Sequence, residues 1–175
     1  MAGDFSWERA FAKVLLARAR RCHAEAVWHV LHGVYMAPRR IWGERPRCPH
    51  CDAETDTAHV LRCQHYTEAV GWLWAVAESL GLEPAAGRPL SDLWSELLGG
   101  VPPTGVAGAR ARVWERLRLA FLSALYRDWT SVHLRRRRGA RVAADGRRVV
   151  FAVVSAVRAA LAADYRRAVE GATYI

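Results

Sequence analysis

The chain has 175 residues, 52% of them hydrophobic on a wide definition and eight of them tryptophan, which suits one domain with a sizeable core and excludes disorder throughout. Its formal charge is +9, from 26 cationic side chains against 17 carboxylates, and Lys13 is the only lysine. A surplus of this size favours a polyanionic partner, nucleic acid ahead of an anionic membrane face. No run of about 18 uninterrupted apolar residues occurs, so a membrane span is not expected. The segment Met1 to Glu8 lacks the basic-then-apolar layout of a secretory signal, so the expected location is intracellular, in the nucleus or the cytoplasm.

In chain order, Asp4 or Ser6 is placed to cap a first helix running to about His32, with Trp7, Phe11, Val14, Leu15, Cys22, Ala26 and Val30 at helical spacing. Gly33 and Pro38 end it. Residues 37 to 56 read as a loop with Pro46, Pro49 and Gly43. A second helix is expected from Thr57 to Leu80, stopped by Gly81, and a short one from Asp92 to Leu98, capped by Ser91. Gly99 to Gly105 is the clearest linker. A long helix over about 108 to 134 carries Val113, Leu117, Phe121, Ala124 and Leu125 on one side. A basic loop over 135 to 148 leads to a last helix, about 147 to 170, with Val150, Val153, Val154, Val157 and Leu161. No segment of useful length alternates with period two. The expected fold class is therefore all-α: about five helices, with a small Cys3His corner between the first and second. Residues 1–36 form the N-terminal helix, 37–66 the zinc-binding module, 67–100 a helical segment and 105–175 the C-terminal helical pair, all in one compact domain.

The four cysteines do not form a disulfide framework. Three lie within 16 residues and Cys22 lies far upstream, a pattern that suits a reducing compartment and a metal. The stretch Cys48-Pro49-His50-Cys51 … His59-Val60-Leu61-Arg62-Cys63 reads Cys-x2-Cys-x7-His-x3-Cys. A Cys-x2-Cys turn folds two thiolates onto one ion, and residues four apart on a helix project from one face. Cys48, Cys51, His59 and Cys63 are thus expected to complete a tetrahedron around one structural Zn2+. His50 and His65 are the alternatives to His59; His50 would bind from inside the tight turn, and His65 falls on another helical face. A closed shell of four protein ligands leaves no position for a reactive water, so the expected site is not catalytic.

An enzyme pattern competes for the same cysteines. His23-Ala24-Glu25 followed by Pro46-Arg47-Cys48-Pro49-His50-Cys51 looks like the zinc-deaminase signature. Arg47 intrudes between the proline and the first cysteine, the β-sheet of that fold has no evident strands here, and His59 and Cys63 are left without a task.

Trp28-His29-Val30-Leu31-His32-Gly33, Cys48-Pro49-His50-Cys51, Glu54-Thr55, Ala58-His59-Val60-Leu61 and Cys63 together resemble the C-terminal zinc-binding region of non-LTR (LINE-type) retrotransposon reverse transcriptases. The likeness is strongest over about 28 to 66 and extends more loosely to about 140, through Trp129 and the arginines after it. One departure is the His-x3-Cys spacing where the family commonly has His-x4-Cys. The resemblance implies a module that binds element RNA or target DNA beside a reverse transcriptase polypeptide, without catalysis of its own.

Two arginine groups are the expected nucleic-acid contacts. Arg135, Arg136, Arg137, Arg138, Arg141, Arg147 and Arg148 make seven arginines in fourteen positions, with Asp145 the only carboxylate among them. Arg39, Arg40, Arg45 and Arg47 precede the zinc turn, with Trp42 among them as a stacking platform. Trp114 and Trp129 are expected in the core, as is one of Trp72 and Trp74. The reading is a zinc-stabilised nucleic-acid-binding module; the runner-up is a helical protein-interaction domain whose zinc fixes the scaffold.

Overall fold

The computed structural model describes residues 5–16, 21–31, 47–48, 51–54, 59–82, 84, 86–99, 107–140 and 146–172. Six α-helices run through them: α1 (Trp7–Leu16), α2 (Arg21–Leu31), α3 (Thr67–Ser79), α4 (Leu90–Leu98), α5 (Gly108–Arg137) and α6 (Gly146–Ala172). A 3-10 turn, His59–Leu61, precedes α3, and no strand occurs among the described residues. The chain is all-α.

The thirty-residue α5 is the axis of the molecule, about 45 Å long at the usual rise. Helices α2 and α6 pack along it, α4 meets it, α1 packs on α2, and α3 packs on α6. Partners on several sides explain why α5 carries more than one apolar stripe. Every residue from Leu117 to Ser123 is buried, including Arg118, while Val113 and Ala124 are only half-buried. A helix surrounded by neighbours is apolar around its middle. Trp114 stacks obliquely on Trp74 of α3 with ring centres 5.9 Å apart, and Trp129 is buried further along. Trp72, two residues from Trp74 and on another face, is half-buried.

Arg118 is completely buried, yet each end of its environment is polar. It donates to the Leu97 carbonyl at 3.2 Å, at the C-terminus of α4, and pairs with Glu115 one turn away. Glu115 also receives Lys13 of α1. A cation at a helix C-terminus is favoured by the dipole, so this pair fastens α1 and α4 to the axis.

Several helix boundaries differ from the sequence expectation, each for a physical reason. The expected first helix to His32 is two helices: α1 packs against α2, which two halves of one straight rod cannot do. Ser6 is the cap, accepting the Arg9 N–H at 3.2 Å, but Trp7 is 52% exposed, and Ala10 and Val27 hold the core positions instead. The expected second helix starts at Thr67 rather than Thr57 and stops at Gly81 as expected. Helix α4 begins at Leu90 behind Pro89, so Ser91 lies inside it. The expected basic loop is helix at both of its ends. Arg135, Arg136 and Arg137 form the last turn of α5, and Arg147 and Arg148 the first turn of α6. Gly139 makes that possible: at φ 78° it turns the chain left-handed, while its N–H returns to Arg136 and that of Ala140 to Arg135.

Candidate metal centre

The first half of the site is a tight loop. The Cys48 N–H donates to the Ala53 carbonyl (2.9 Å), the Asp52 N–H donates to the Cys48 carbonyl (3.0 Å), and Arg47 bridges to Glu54 across its mouth. Closing so short a loop requires a left-handed residue directly after the second cysteine. Asp52 supplies it at φ 59°, a conformation that aspartate tolerates better than most side chains. The Arg47 guanidinium then clasps the loop, reaching the Asp52 carbonyl at 3.0 Å and its carboxylate at 3.2 Å.

The second half is the 3-10 turn. The Arg62 and Cys63 N–H groups both donate to the His59 carbonyl, at 2.8 and 2.9 Å. This single coil places His59 and Cys63 on one side, as an α-helix would, although α3 begins four residues after Cys63. The thiol therefore lies just ahead of the helix, not a turn inside it.

Together the two halves bring the Sγ atoms of Cys48, Cys51 and Cys63 and the Nε2 atom of His59 within 4.8 Å of one another. The edges are 3.7 Å for Cys48–Cys63, 3.9 Å for Cys63–Cys51 and 3.4 Å for Cys51–His59. A disulfide needs sulfurs at about 2.05 Å, and these thiols are free. A tetrahedral ion with bonds of about 2.3 Å to sulfur and about 2.0 Å to nitrogen has edges of about 3.8 and 3.5 Å. The cluster has the dimensions of such a shell and can hold a metal ion. Cys48 and Cys63 are 1% exposed and His59 8%, so a bound ion would be shut off from solvent on most sides.

The hydrogen bond between the Cys63 and Cys48 sulfurs, then burial, push the Cys63 thiol far above its ordinary range; a backbone N–H of His65 aimed at the sulfur opposes them. The Cys63 thiol thus holds its proton when no ion is present, and metal uptake must displace it.

The corner rests on the helices at two points. The Tyr66 hydroxyl donates to the Asp128 carboxylate of α5 at 2.8 Å. Gly146, the first residue of α6, lies so close to the His65 carbonyl that a Cβ there would sit 2.9 Å from its oxygen. Arg147 reaches Glu68 of α3 at 3.4 Å.

Among the expected site residues, the four metal ligands converge and His59, not His65, is the nitrogen donor of the group; His50 lies outside the described residues. Arg135, Arg136 and Arg138 are exposed at the end of α5, Arg147 and Arg148 are exposed at the start of α6 where Gly146 meets the corner, and Arg137 is the last residue of α5. Arg47 is exposed too, but committed to Asp52. Arg39, Arg40, Trp42, Arg45 and Arg141 lie outside the described residues. Asp52, Tyr66 and Gly146 were missed by sequence reasoning. Only Asp52 carried a signal, an aspartate immediately after a Cys-x2-Cys pair.

No family model, curated protein or solved structure matches the chain. The deaminase pattern meets two obstacles of its own. The described residues contain no strand from which to build that fold's sheet, and His59 and Cys63, which that pattern leaves without a task, lie together with its two cysteines.

Proposed function

We propose that Cys48, Cys51, His59 and Cys63 hold one structural Zn2+ and that the chain is a zinc-braced nucleic-acid-binding module, akin to the C-terminal region of LINE-type reverse transcriptases. Three thiols and an imidazole with tetrahedral edges favour zinc over harder ions, which take oxygen ligands. The observation that carries the functional half is the contact between the corner and the arginine-rich end: Gly146 against His65, with Arg147 and Arg148 following at once. The ion then serves as a brace, fixing where the arginines stand, and RNA or DNA is the partner their charge suits. A shell with no open position performs no chemistry itself. A reverse transcriptase polypeptide is the second partner that the resemblance implies.

Fluorescence anisotropy with labelled oligo(U), oligo(dT) and duplex DNA tests the reading, with zinc content measured in the same preparation by elemental analysis. Binding should weaken steeply between low and physiological salt, and absence of any binding at low salt overturns it. A helical protein-interaction domain is the second reading, favoured by Trp7 and Trp28, which stand 52% and 44% exposed. It predicts salt-insensitive capture of a protein and no affinity for either nucleic acid.

A further inference from the structure

The most exposed large apolar side chain among the described residues is neither tryptophan but Phe151, at 75%. It lies on α6, one turn beyond the arginines just described. Arg147 and Arg148 precede it by four and three residues and Arg158 follows by seven, so all of them share one side of the helix with Ser155. All five are exposed, whereas Val149 and Val153 on the opposite side are buried. At the usual rise, Arg147 is about 6 Å and Arg158 about 10.5 Å from Phe151 along the axis.

The charge of this face is one-sided. From Gly146 to Ala163 the sequence holds no carboxylate, and the first turn of α6 places two arginines where a helix ordinarily prefers acids. The positive end of the dipole and the two guanidinium groups thus reinforce one another. Glu68 opposes only Arg147, through an exposed pair at 3.4 Å that solvent screens.

We infer that this face of α6 binds single-stranded nucleic acid, with Phe151 stacking on an unpaired base while Arg147, Arg148 and Arg158 contact the flanking phosphates. An open aromatic ring bracketed by cations is how proteins grip single strands without reading sequence. In a duplex the bases are already stacked on one another, so a ring on a helix surface has no base face to meet. An anionic bilayer is the weaker occupant, because insertion needs a broad apolar face and Phe151 has only the partly exposed Val154 beside it among Ser155 and arginines. A second copy is disfavoured by the repulsion of two like-charged faces. The inference rests on the nucleic-acid reading proposed above and adds the strandedness and the stacking residue.

The test uses the full zinc-loaded chain, with anisotropy of labelled oligo(U), oligo(dT) and a DNA duplex at low salt. Phe151 is exposed, so Phe151→Ala should keep the helical circular dichroism and melting temperature of the parent. The parent should prefer the single strands. Phe151→Ala should weaken them about 5- to 150-fold and leave duplex affinity unchanged, and Phe151→Trp should restore the loss. If the parent binds no nucleic acid, the functional reading falls and takes this inference with it. If the parent binds but Phe151→Ala is silent, or weakens duplex and single strand equally, stacking is overturned while the functional reading stands. Loss of binding to phosphatidylserine vesicles with unaltered oligo(U) binding would assign the face to membranes and likewise overturn it.

Discussion

The helical core and the metal corner are stabilised in opposite ways. Around α5 the chain buries Trp114, Phe121, Leu125 and Trp129 together with the apolar sides of α2, α3 and α6. Removing such side chains from water is worth about 1.5–3 kcal/mol each before entropy is subtracted. Between Arg47 and Tyr66 the described chain has one 3-10 turn, one tight loop and a bridge, and its buried groups are largely the ligands themselves. A segment like that does not offset its own conformational entropy; a bound metal ion would, at about 10–16 kcal/mol for small zinc modules near neutral pH. The contrast is between a part that folds by packing and a part that packing alone does not hold, for which the proposed ion would supply the missing stability.

Taking the ion away should separate the two most sharply. Chelation, or Cys63→Ser, is expected to abolish amide-exchange protection over residues 47–66 while the far-UV signal of the helices largely persists. Collapse of the helices at the same chelator concentration would show the two parts to be one cooperative unit. Uptake should also weaken as pH falls. Thiols must lose protons to bind a metal, and Cys63, whose pKa is raised by Cys48 and by burial, yields its proton less readily than an ordinary thiol. Competition with a chromophoric chelator at pH 6 and pH 8 measures this, and equal affinities would contradict the assigned thiolate ligands.

The next largest effect belongs to the core. Trp114→Ala removes a 1%-exposed indole stacked on Trp74 and should cost about 3–5 kcal/mol in thermal unfolding, with zinc stoichiometry unchanged. Between the two regions stands Tyr66. Tyr66→Phe deletes the hydrogen bond to Asp128 and should cost about 1.5–3 kcal/mol, with exchange rising in the corner before it rises in α5. Smallest for stability is the triple replacement of Arg135, Arg136 and Arg138 by alanine. These exposed side chains should alter unfolding by no more than about 0.5 kcal/mol each. The salt dependence of nucleic-acid binding should nevertheless flatten by about 0.9 in logarithmic slope for each phosphate no longer neutralised.

Most of the architecture was legible because long helices announce themselves by period. The expected helices at 108–134 and 147–170 are α5 and α6 with slightly extended ends. The ligand quartet was legible because cysteine spacing near a metal is nearly a geometric statement. What the sequence concealed were matters of neighbours. Trp7 lies at a helical position of an apolar stripe, yet Ala10 and Val27 take the core, because α1 packs against α2 through a different side. The residues before α3 carry helix-like spacing, but Cys63 must meet Cys48 at 3.7 Å, and a 3-10 turn achieves this where a continuous helix from Thr57 was expected. Arginine runs read as loop because charge suggests solvent; arginine is also a good helix former, and Arg135 to Arg137 complement the C-terminal end of α5. Phe151 carried no signal at all, since its single apolar position in a valine-rich stretch gives no hint of which side faces out.

The clasp of Arg47 on Asp52 has an electrostatic consequence for the whole surface. Three thiolates around a divalent ion leave one negative charge, the clasp cancels itself, and Arg62 stands beside the shell to balance the remainder. Glu54 at the mouth of the loop then leaves a filled corner with a small net negative charge. The exposed positive charge of the described residues lies instead at the junction of α5 and α6, where Arg135, Arg136, Arg138, Arg147 and Arg148 are exposed and Glu68 meets Arg147. A polyanion would thus be steered away from the ion and toward that junction.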